Sequence, residues 1–331
     1  MYILGIESSC DETSAAVIEG DTRSLKSDIV ASQIEIHRLY GGVVPEIAGR
    51  AHIEAISRIT YRALDEAGLS LSDIDAVAVT AFPGLIGALL VGVNFAKSLA
   101  YANGIPLVAV NHVKAHTAAA YLTDPTLEPP FLAVVVSGGH TSIYEVRDYT
   151  DFCEIGATRD DAAGEAFDKI GRVIGMPYPG GAALDKLAYE GDPFSIKLPS
   201  PALREGLDFS FSGLKTAALN YINTERQSGR EPNAANIAAS YTRAIVDAVV
   251  QKTDAALERT GYTRMVLSGG VAANSHLRAA LGALCEKRGV KLTVPPISLC
   301  GDNAAMVAMA GYFEFQKGNL ADVSLNASAT E

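Results

Sequence analysis

The sequence has no tryptophan, four cysteines among 331 residues, and no apolar run long enough to cross a membrane. The cysteines are scattered without C-x-x-C spacing, so we expect reduced thiols in a cytoplasmic protein. The longest apolar run, residues 85–96, falls far short of the ~20 residues that a membrane-spanning helix needs. No basic region precedes the first strand, which argues against a secretory leader. These absences argue against a disulfide-stabilised, secreted or membrane-spanning protein.

Positive charge is also scarce. The net charge of −11 argues against a protein that binds nucleic acid nonspecifically, because such proteins carry a basic surface. The densest cationic stretch is residues 37–64, where Arg58 and Arg62 lie one helical turn apart. A charged helix face is usually only solvated, yet this stretch is the best candidate in the chain for contact with a polyanion.

The order of predicted elements occurs twice along the chain. Each copy has a strand, a turn of small polar residues and a second strand, followed later by two strands that each run into a helix. The paired segments are 3–19 with 131–147, 76–101 with 264–286, and 106–122 with 291–315. Two prolines mark the junction between the copies. We predict one α/β half over 1–127 and another over 128–331, with the last helix packing back on the first half.

Two α/β halves built alike are expected to face each other across a cleft. Ligands of open α/β sheets bind beyond the carboxyl ends of the strands, where this chain has glycine-containing turns. Glycine lets the backbone approach a ligand, and the free N–H groups and dipole of a helix N-terminus favour phosphate oxygens. The repeated turns therefore predict a nucleotide-binding cleft.

Two histidines, His112 and His116, lie four residues apart where a strand runs into a helix, so both project from one helical face. The zinc peptidase signature H-E-x-x-H has a glutamate base beside its first histidine, but Val113 occupies that place here. Asp302 holds the corresponding place in the second copy. Two imidazoles and one carboxylate can bind a metal ion and leave positions open for substrate. The alternative is two ordinary histidines and an aspartate that caps a helix.

The segment 160–188 contains two aspartates with more than one explanation. Asp168 lies off the apolar stripe of a predicted helix, where it is either solvated or hydrogen-bonded to a ligand hydroxyl. Asp185 is predicted on the first turn of a helix over 182–189, where a capping or dipole role would also explain it. Further along, residues 207–221 are either a flexible ligand loop or the start of a helix capped by Ser212.

Several segments together resemble the bacterial TsaD (YgjD, formerly Gcp) family of tRNA adenosine threonylcarbamoyltransferases. They occur in order from residue 3 to about residue 318: GIESSCDETS, GGVVPEIAGRAHIE, PGLIGALLVG, NHVKAH, VVSGGHTSIYEV, DDAAGEAFDKIGR, YPGG, LDFSFSGLKTA, LSGGVAANSHLR and GDNAAM. The resemblance implies the actin-like ATPase (ASKHA) fold, an α/β fold with two duplicated halves around a central cleft. It also implies transfer of a threonylcarbamoyl group from threonylcarbamoyl-adenylate to N6 of adenosine 37 in tRNAs that read ANN codons, with release of AMP.

The resemblance further implies the residues of the site. His112, His116 and Asp302 match the family's ligands for one metal ion, iron (ferrous or ferric) or zinc. Asp11 and Glu12 match an acidic pair in the first hairpin turn and are the candidates for a catalytic role. An adenine nucleotide (threonylcarbamoyl-AMP, AMP or ATP) is the expected ligand of the cleft. The residues that match substrate contacts are Val135, Val136, Ser137, Gly138, Gly139, Asp168, Gly181, Asp185 and Asn274.

The expected partners are TsaB, a shorter paralogue that pairs with TsaD, the ATPase TsaE, and tRNA as substrate. Two other classes stay open on the residues alone. A metalloprotease is suggested by the spacing H-x-x-x-H. A small-molecule kinase is suggested by the fold, which also hosts sugar kinases, and Asp11 or Asp168 would then act on the acceptor hydroxyl.

Overall fold

The structure, a computed structural model, describes residues 1–330. It divides the chain into two compact units. Unit 1 contains residues 1–129, residues 148–151 and the segment from Pro295 onward, and unit 2 contains residues 130–147 and 152–294. The segment from Pro295 onward, which carries Asp302, belongs to unit 1, whereas the predicted second half spans 128–331 with its last helix packing on the first half.

Ten strands and ten helices of the described residues are labelled in chain order. The strands are β1 (Tyr2–Glu7), β2 (Glu12–Glu19), β3 (Ser24–Ser32), β4 (Ala76–Phe82), β5 (Leu107–Asn111), β6 (Phe131–Val136), β7 (Thr141–Val146), β8 (Phe152–Ala157), β9 (Arg264–Ser268) and β10 (Lys291–Thr293). The helices are α1 (Ile34–Arg38), α2 (Pro45–Ala67), α3 (Ile86–Asn103), α4 (His112–Thr123), α5 (Ala163–Val173), α6 (Gly180–Ala188), α7 (Ser212–Gln227), α8 (Ala234–Thr260), α9 (Ser275–Arg288) and α10 (Ala304–Gln316).

Unit 1 is built on a mixed sheet in the order β3-β2-β1-β4-β5. The strands β1 and β2 are antiparallel, as are β2 and β3, whereas β1, β4 and β5 run parallel. Strand β1 is buried from Ile3 to Glu7, as expected for a central strand covered on both faces. Helix α10 lies directly against it, since a Cβ added at Gly5 would stand 2.3 Å from the carbonyl oxygen of Ala304.

Unit 2 repeats this topology in a second sheet with the order β10-β9-β6-β7-β8. Here β6 pairs antiparallel with β7 and β7 with β8, while β6, β9 and β10 run parallel. Strand β6 therefore takes the place of β1, and β9 takes the place of β4. The predicted duplication of an α/β half is confirmed. No helix among residues 1–330 combines the length and the apolar character that crossing a bilayer requires.

The turn between β2 and β3 is tied to the rest of unit 1 through Arg23, whose backbone has a positive φ of 51°. Its Nη1 donates to the carbonyl oxygens of Pro125 at 2.8 Å and Leu127 at 2.7 Å, and its Nη2 donates to the hydroxyl of Tyr149 at 2.9 Å. The guanidinium carbon also lies 5.3 Å from the ring centre of Tyr121, within range of a cation–π interaction. One side chain thus joins three segments that are distant in sequence.

Candidate metal centre and substrate-binding residues

The two histidines stand where β5 runs directly into α4. Asn111 ends the strand and caps the helix, because its side-chain oxygen accepts from the backbone N–H of Lys114 at 3.0 Å. His112 is the first helical residue and His116 lies one turn later, with the two ring centres 4.8 Å apart. Both side chains are buried. The expected placement of the histidines on one face of a helix start is confirmed.

Asp302 lies just before α10 and faces both histidines. Its Oδ1 is 3.6 Å from Nε2 of His112 and 3.4 Å from Nε2 of His116. The helix is capped by Asn303 instead, whose side chain accepts from the N–H of Met306 at 2.9 Å. The N-cap residue of α10 is therefore Asn303 and not Asp302.

These three side chains fit a metal ion. Their donor atoms all lie within 4.8 Å of one another. Donors that bind a tetrahedral ion at ~2.0–2.1 Å stand about 3.3–3.4 Å apart, close to the distances between Asp302 and the two imidazoles. Neither ring nitrogen of His116 has a hydrogen-bond partner, although the side chain is only 1% exposed. A buried imidazole without partners is costly, and a bound metal ion would satisfy it.

The ring of His112 is held from its other side by Glu7, at the end of β1. Nδ1 of His112 lies 3.0 Å from Oε2 of Glu7 and 3.1 Å from the hydroxyl of Ser9. Burial opposes the charged imidazolium, but the carboxylates of Asp302 and Glu7 outweigh this and raise the pKa of His112 to about 9. Glu7 is not among the residues predicted from the sequence to belong to the site. The available signal was a carboxylate at the end of an otherwise apolar strand.

The acidic pair Asp11 and Glu12 lies in the turn between β1 and β2. Glu12 is the first residue of β2, and its Oε1 accepts from the hydroxyl of Ser32 at 3.1 Å. Burial and the negative charges of Asp302 and Asp11 raise the pKa of Glu12 to about 9. Without a metal ion on Asp302, Glu12 is thus protonated at neutral pH. In this state its carboxyl group can donate a hydrogen bond near Asp302, but it cannot act as a strong base.

The predicted substrate loop joins β6 to β7 in unit 2 and rests on the start of α5. The carbonyl oxygens of Ser137 and Gly138 accept from the N–H groups of Gly164 at 3.2 Å and Glu165 at 3.1 Å. Neither Gly138 nor Gly139 has a positive φ, and a Cβ added at either would meet no atom within 4 Å. The turn is therefore unstrained and opens on free space. The side chains of Val135 and Val136 are buried, so these two residues can contact a ligand only through their backbone atoms.

The structure brings Asp168 and Gly181 together. Oδ1 of Asp168, on α5, accepts from the N–H of Gly181 at 3.0 Å and so caps the start of α6. The close crossing of α5 and α6 depends on Gly171 and Gly180, since a Cβ at Gly171 would lie 3.1 Å from Cα of Gly180. Helix α6 begins at Gly180, two residues earlier than predicted. Asp185 consequently falls on its second turn instead of its first.

Asp185 and Asn274 also come together, at the start of α9. Asn274 caps this helix, with its side chain accepting from the N–H of Leu277 at 2.9 Å. Oδ2 of Asp185 accepts from the backbone N–H and the hydroxyl of Ser275 at 3.1 and 2.8 Å. Its Oδ1 lies 2.8 Å from Nδ1 of His276. Ser275 and His276 are not among the predicted site residues, because nothing in their local sequence connects them to Asp185.

The predicted cap of α7 is wrong. The helix does begin at Ser212, but no side-chain bond from its N-cap residue satisfies the first N–H groups. Asp160 performs this role, since its Oδ1 accepts from the N–H groups of Phe211 at 2.7 Å and Ser212 at 3.2 Å. A negative charge at a helix N-terminus also interacts favourably with the helix dipole, which a serine hydroxyl cannot match.

Comparison with known proteins decides between the remaining classes. The sequence model of the TsaD family, described as tRNA N6-adenosine threonylcarbamoyltransferase, matches residues 24–309. The chain belongs to the TsaD family. Curated relatives of that name include one from Clostridium botulinum, 51% identical over 98% of this chain and 96% of the relative, and one from Geobacillus kaustophilus, 52% identical over 99% and 96%.

Solved structures support the fold. The T. kodakarensis HypF structure covers 98% of this chain with a TM-score of 0.65 at 15% identity, and this chain covers 49% of it. Such a likeness bears on the fold alone, and the expected actin-like (ASKHA) α/β fold is confirmed. Family membership confirms the expected enzyme class, an acyltransferase that modifies tRNA, and does not support the peptidase or kinase alternatives.

Proposed function

We propose that this chain forms N6-threonylcarbamoyladenosine at position 37 of tRNAs that read ANN codons. The donor is threonylcarbamoyl-adenylate and the second product is AMP. The observation that carries this proposal is the 51–52% identity to threonylcarbamoyltransferases over nearly the whole chain. The proximity of His112, His116 and Asp302 also supports the proposal. Similar sequence motifs would not by themselves require these three side chains to lie close together.

The metal would be held by His112, His116 and Asp302, and we propose that it is iron or zinc. Two imidazoles and one carboxylate suit either ion. When bound, the ion would supply Lewis-acid polarisation of the donor's carbamoyl or phosphate oxygen. Asp302 is 20% exposed while the histidines are buried, so a ligand would reach the site from the side of Asp302.

The residues of unit 2 would bind the adenine nucleotide, whether threonylcarbamoyl-AMP, AMP or ATP. The open turn at Gly138 and Gly139 lets backbone N–H groups approach a phosphate, since the two glycines have no side chain and a Cβ at either would meet no atom within 4 Å. Asp168 and Asp185 carry carboxylates that can accept from ribose hydroxyls. Both already accept from backbone N–H groups of helix starts, which holds them in place for a ligand.

The reaction joins an amine to a carbamoyl carbon that is already activated. N6 of adenosine attacks this carbon, the bond to the phosphate oxygen breaks, AMP leaves, and N6 loses a proton. The amine is a poor nucleophile, so correct positioning supplies much of the rate. The target base must leave its stack, which is inexpensive in a single-stranded anticodon loop. A strong peptidase-type base is unnecessary, in keeping with Val113 beside the first histidine.

We propose that the chain works with the paralogue TsaB and the ATPase TsaE. Its net charge of −11 supports this, because an acidic protein has little electrostatic attraction for tRNA by itself. The chain alone is expected to bind tRNA weakly, and to bind it strongly once both partners are present. Tight and salt-sensitive binding of tRNA by the isolated chain would contradict the proposal.

The decisive experiment supplies threonylcarbamoyl-adenylate and unmodified tRNA to the purified chain with its partners. AMP release and modified adenosine are measured together, and a tRNA without adenosine at position 37 serves as the control. AMP release that does not depend on the tRNA would contradict transfer to adenosine. Metal content is measured in parallel, and the double variant His112→Ala, His116→Ala is expected to lose the ion. Full metal occupancy in that variant would overturn the ligand assignment.

A further inference from the structure

We propose that Glu7 is a positioning residue that fixes the tautomer and the ring orientation of His112 for metal binding. This inference rests on the metal site of the proposed function. Glu7 is not itself a metal ligand in that site. Several carboxylates surround the site, and the proposal assigns the orientation of His112 to Glu7 alone.

The geometry places the two nitrogens of His112 in different surroundings. Nε2 faces Asp302 and lies where the donor atoms converge. Nδ1 lies 3.0 Å from the carboxylate of Glu7. A neutral imidazole carries one proton, and a carboxylate can only accept a hydrogen bond. Binding of a metal ion would remove the proton on Nε2 of the His112 imidazolium, while the proton on Nδ1 stays in its hydrogen bond to Glu7, so that Nε2 supplies the lone pair that the ion requires.

Glu7 is itself oriented by donors from two other segments. Its Oε2 accepts from the hydroxyl of Thr80 at 2.7 Å, and its Oε1 accepts from the backbone N–H of Ser9 at 2.5 Å. The side chain is fully buried. Thr80 lies on β4, which pairs directly with β1, so the sheet sets the distance between the two side chains. The carboxylate is thus held in one orientation before any metal arrives.

The backbone around Glu7 is also closely packed. A Cβ added at Gly92 would lie 2.3 Å from the hydroxyl of Ser8, and one at Gly84 would lie 2.6 Å from the carbonyl oxygen of Ser9. Helix α3 and the turn before it therefore press on the residues that follow Glu7. A loosely packed strand end could not define the direction of a hydrogen bond to His112.

Glu12 offers a matched control. It is also largely buried, and its carboxyl group is close enough to Asp302 to interact electrostatically. Its hydrogen bond goes to Ser32, however, and not to a histidine. Replacing Glu12 by glutamine changes the same chemical group near the same site without touching the ring of His112. Because Glu12 is neutral, this control removes no charge, and comparison of the two variants separates loss of the contact between Glu7 and His112 from a general effect of replacing a buried carboxyl group near the site.

The test measures Zn²⁺ affinity by competition with a chelator, without tRNA or donor, in wild type, Glu7→Gln, Thr80→Val and Glu12→Gln. We expect Glu7→Gln to bind Zn²⁺ roughly 10- to 100-fold more weakly, the range found when a partner of a metal-binding histidine is removed. Thr80→Val should lose less, because the bond to His112 remains, and Glu12→Gln should lose least. Wild-type affinity in Glu7→Gln, or an equal loss in Glu12→Gln, would overturn the inference.

A second measurement does not depend on the folding of a buried variant. Nitrogen-15 NMR of Zn²⁺-loaded wild type is expected to show His112 with its proton on Nδ1. The opposite tautomer, or the absence of Zn²⁺ binding, would overturn the role of Glu7. Because neither experiment uses tRNA, failure of threonylcarbamoyl transfer in a protein that binds Zn²⁺ normally would count against the proposed function and not against Glu7.

Discussion

Replacing Gly164 by alanine tests how the substrate loop is held. Gly164 lies in the first turn of α5, where its N–H donates to the carbonyl oxygen of Ser137. A Cβ at this position would stand 2.6 Å from that oxygen and 2.8 Å from Cα of Gly138. Both contacts are with backbone atoms, which cannot rotate away as a flexible side chain could. The loop and the helix must therefore separate, and the hydrogen bond between them must lengthen.

The size of the effect follows from two opposing contributions. Overpacking a closely packed site costs about 1–3 kcal/mol. Alanine is a better helix former than glycine and recovers up to about 1 kcal/mol. We therefore expect the free energy of unfolding to fall by about 1–2 kcal/mol, which corresponds to a decrease in Tm of roughly 2–8 °C. Displacement of the loop should also weaken the binding of AMP.

Thermal unfolding and calorimetric titration with AMP measure these two effects, and Gly139→Ala is the matched control. A Cβ at Gly139 meets no atom within 4 Å, and its φ is not positive. The control should keep the stability of wild type within about 0.5 kcal/mol but bind AMP more weakly if the turn approaches the phosphate. A Tm for Gly164→Ala equal to that of wild type would refute the steric argument, and AMP affinity unchanged in Gly139→Ala would show that the nucleotide binds elsewhere.

Three further predictions concern unit 1. Arg23→Lys keeps the charge but cannot reproduce the forked hydrogen bonds, so it should lower the free energy of unfolding by about 1–3 kcal/mol, and an unchanged Tm would contradict this. Gly5→Ala places a Cβ 2.3 Å from the carbonyl oxygen of Ala304, so it should displace α10 and weaken Zn²⁺ binding through Asp302, measured by chelator competition. Burial raises the pKa of Asp28 from 3.8 to about 6, so its charged form opposes folding. The contribution of Asp28 to the free energy of unfolding should be greatest below pH ~4, near the pKa of the unfolded state. It should be lost as the pH rises through ~6, by an amount on the order of 1–3 kcal/mol. Urea unfolding across this range should show the slope in wild type and a flatter one in Asp28→Asn.

The duplicated topology could be predicted because each copy has the same order of strands, turns and helices. The packing of the last helix on the first half is part of the prediction, but the order of elements does not show that the whole segment from Pro295 onward belongs to unit 1. One signal was present in the first strand, YILGIE, where glycine interrupts an apolar run. Glycine inside a strand often marks the close approach of another backbone. Here it marks the approach of α10, which is how Asp302 enters unit 1.

Some contacts in the candidate site could be predicted from local sequence patterns, and others could not. The spacing of His112 and His116 follows from the helical repeat, so their common face could be predicted. The partner of His112 could not, because Glu7 lies 105 residues away and meets it only through the pairing of parallel strands. A carboxylate at the end of a buried strand must nevertheless have a partner, because an isolated buried charge costs too much free energy. A sequence can thus indicate that Glu7 needs a partner, while only the fold identifies that partner as a metal-binding histidine.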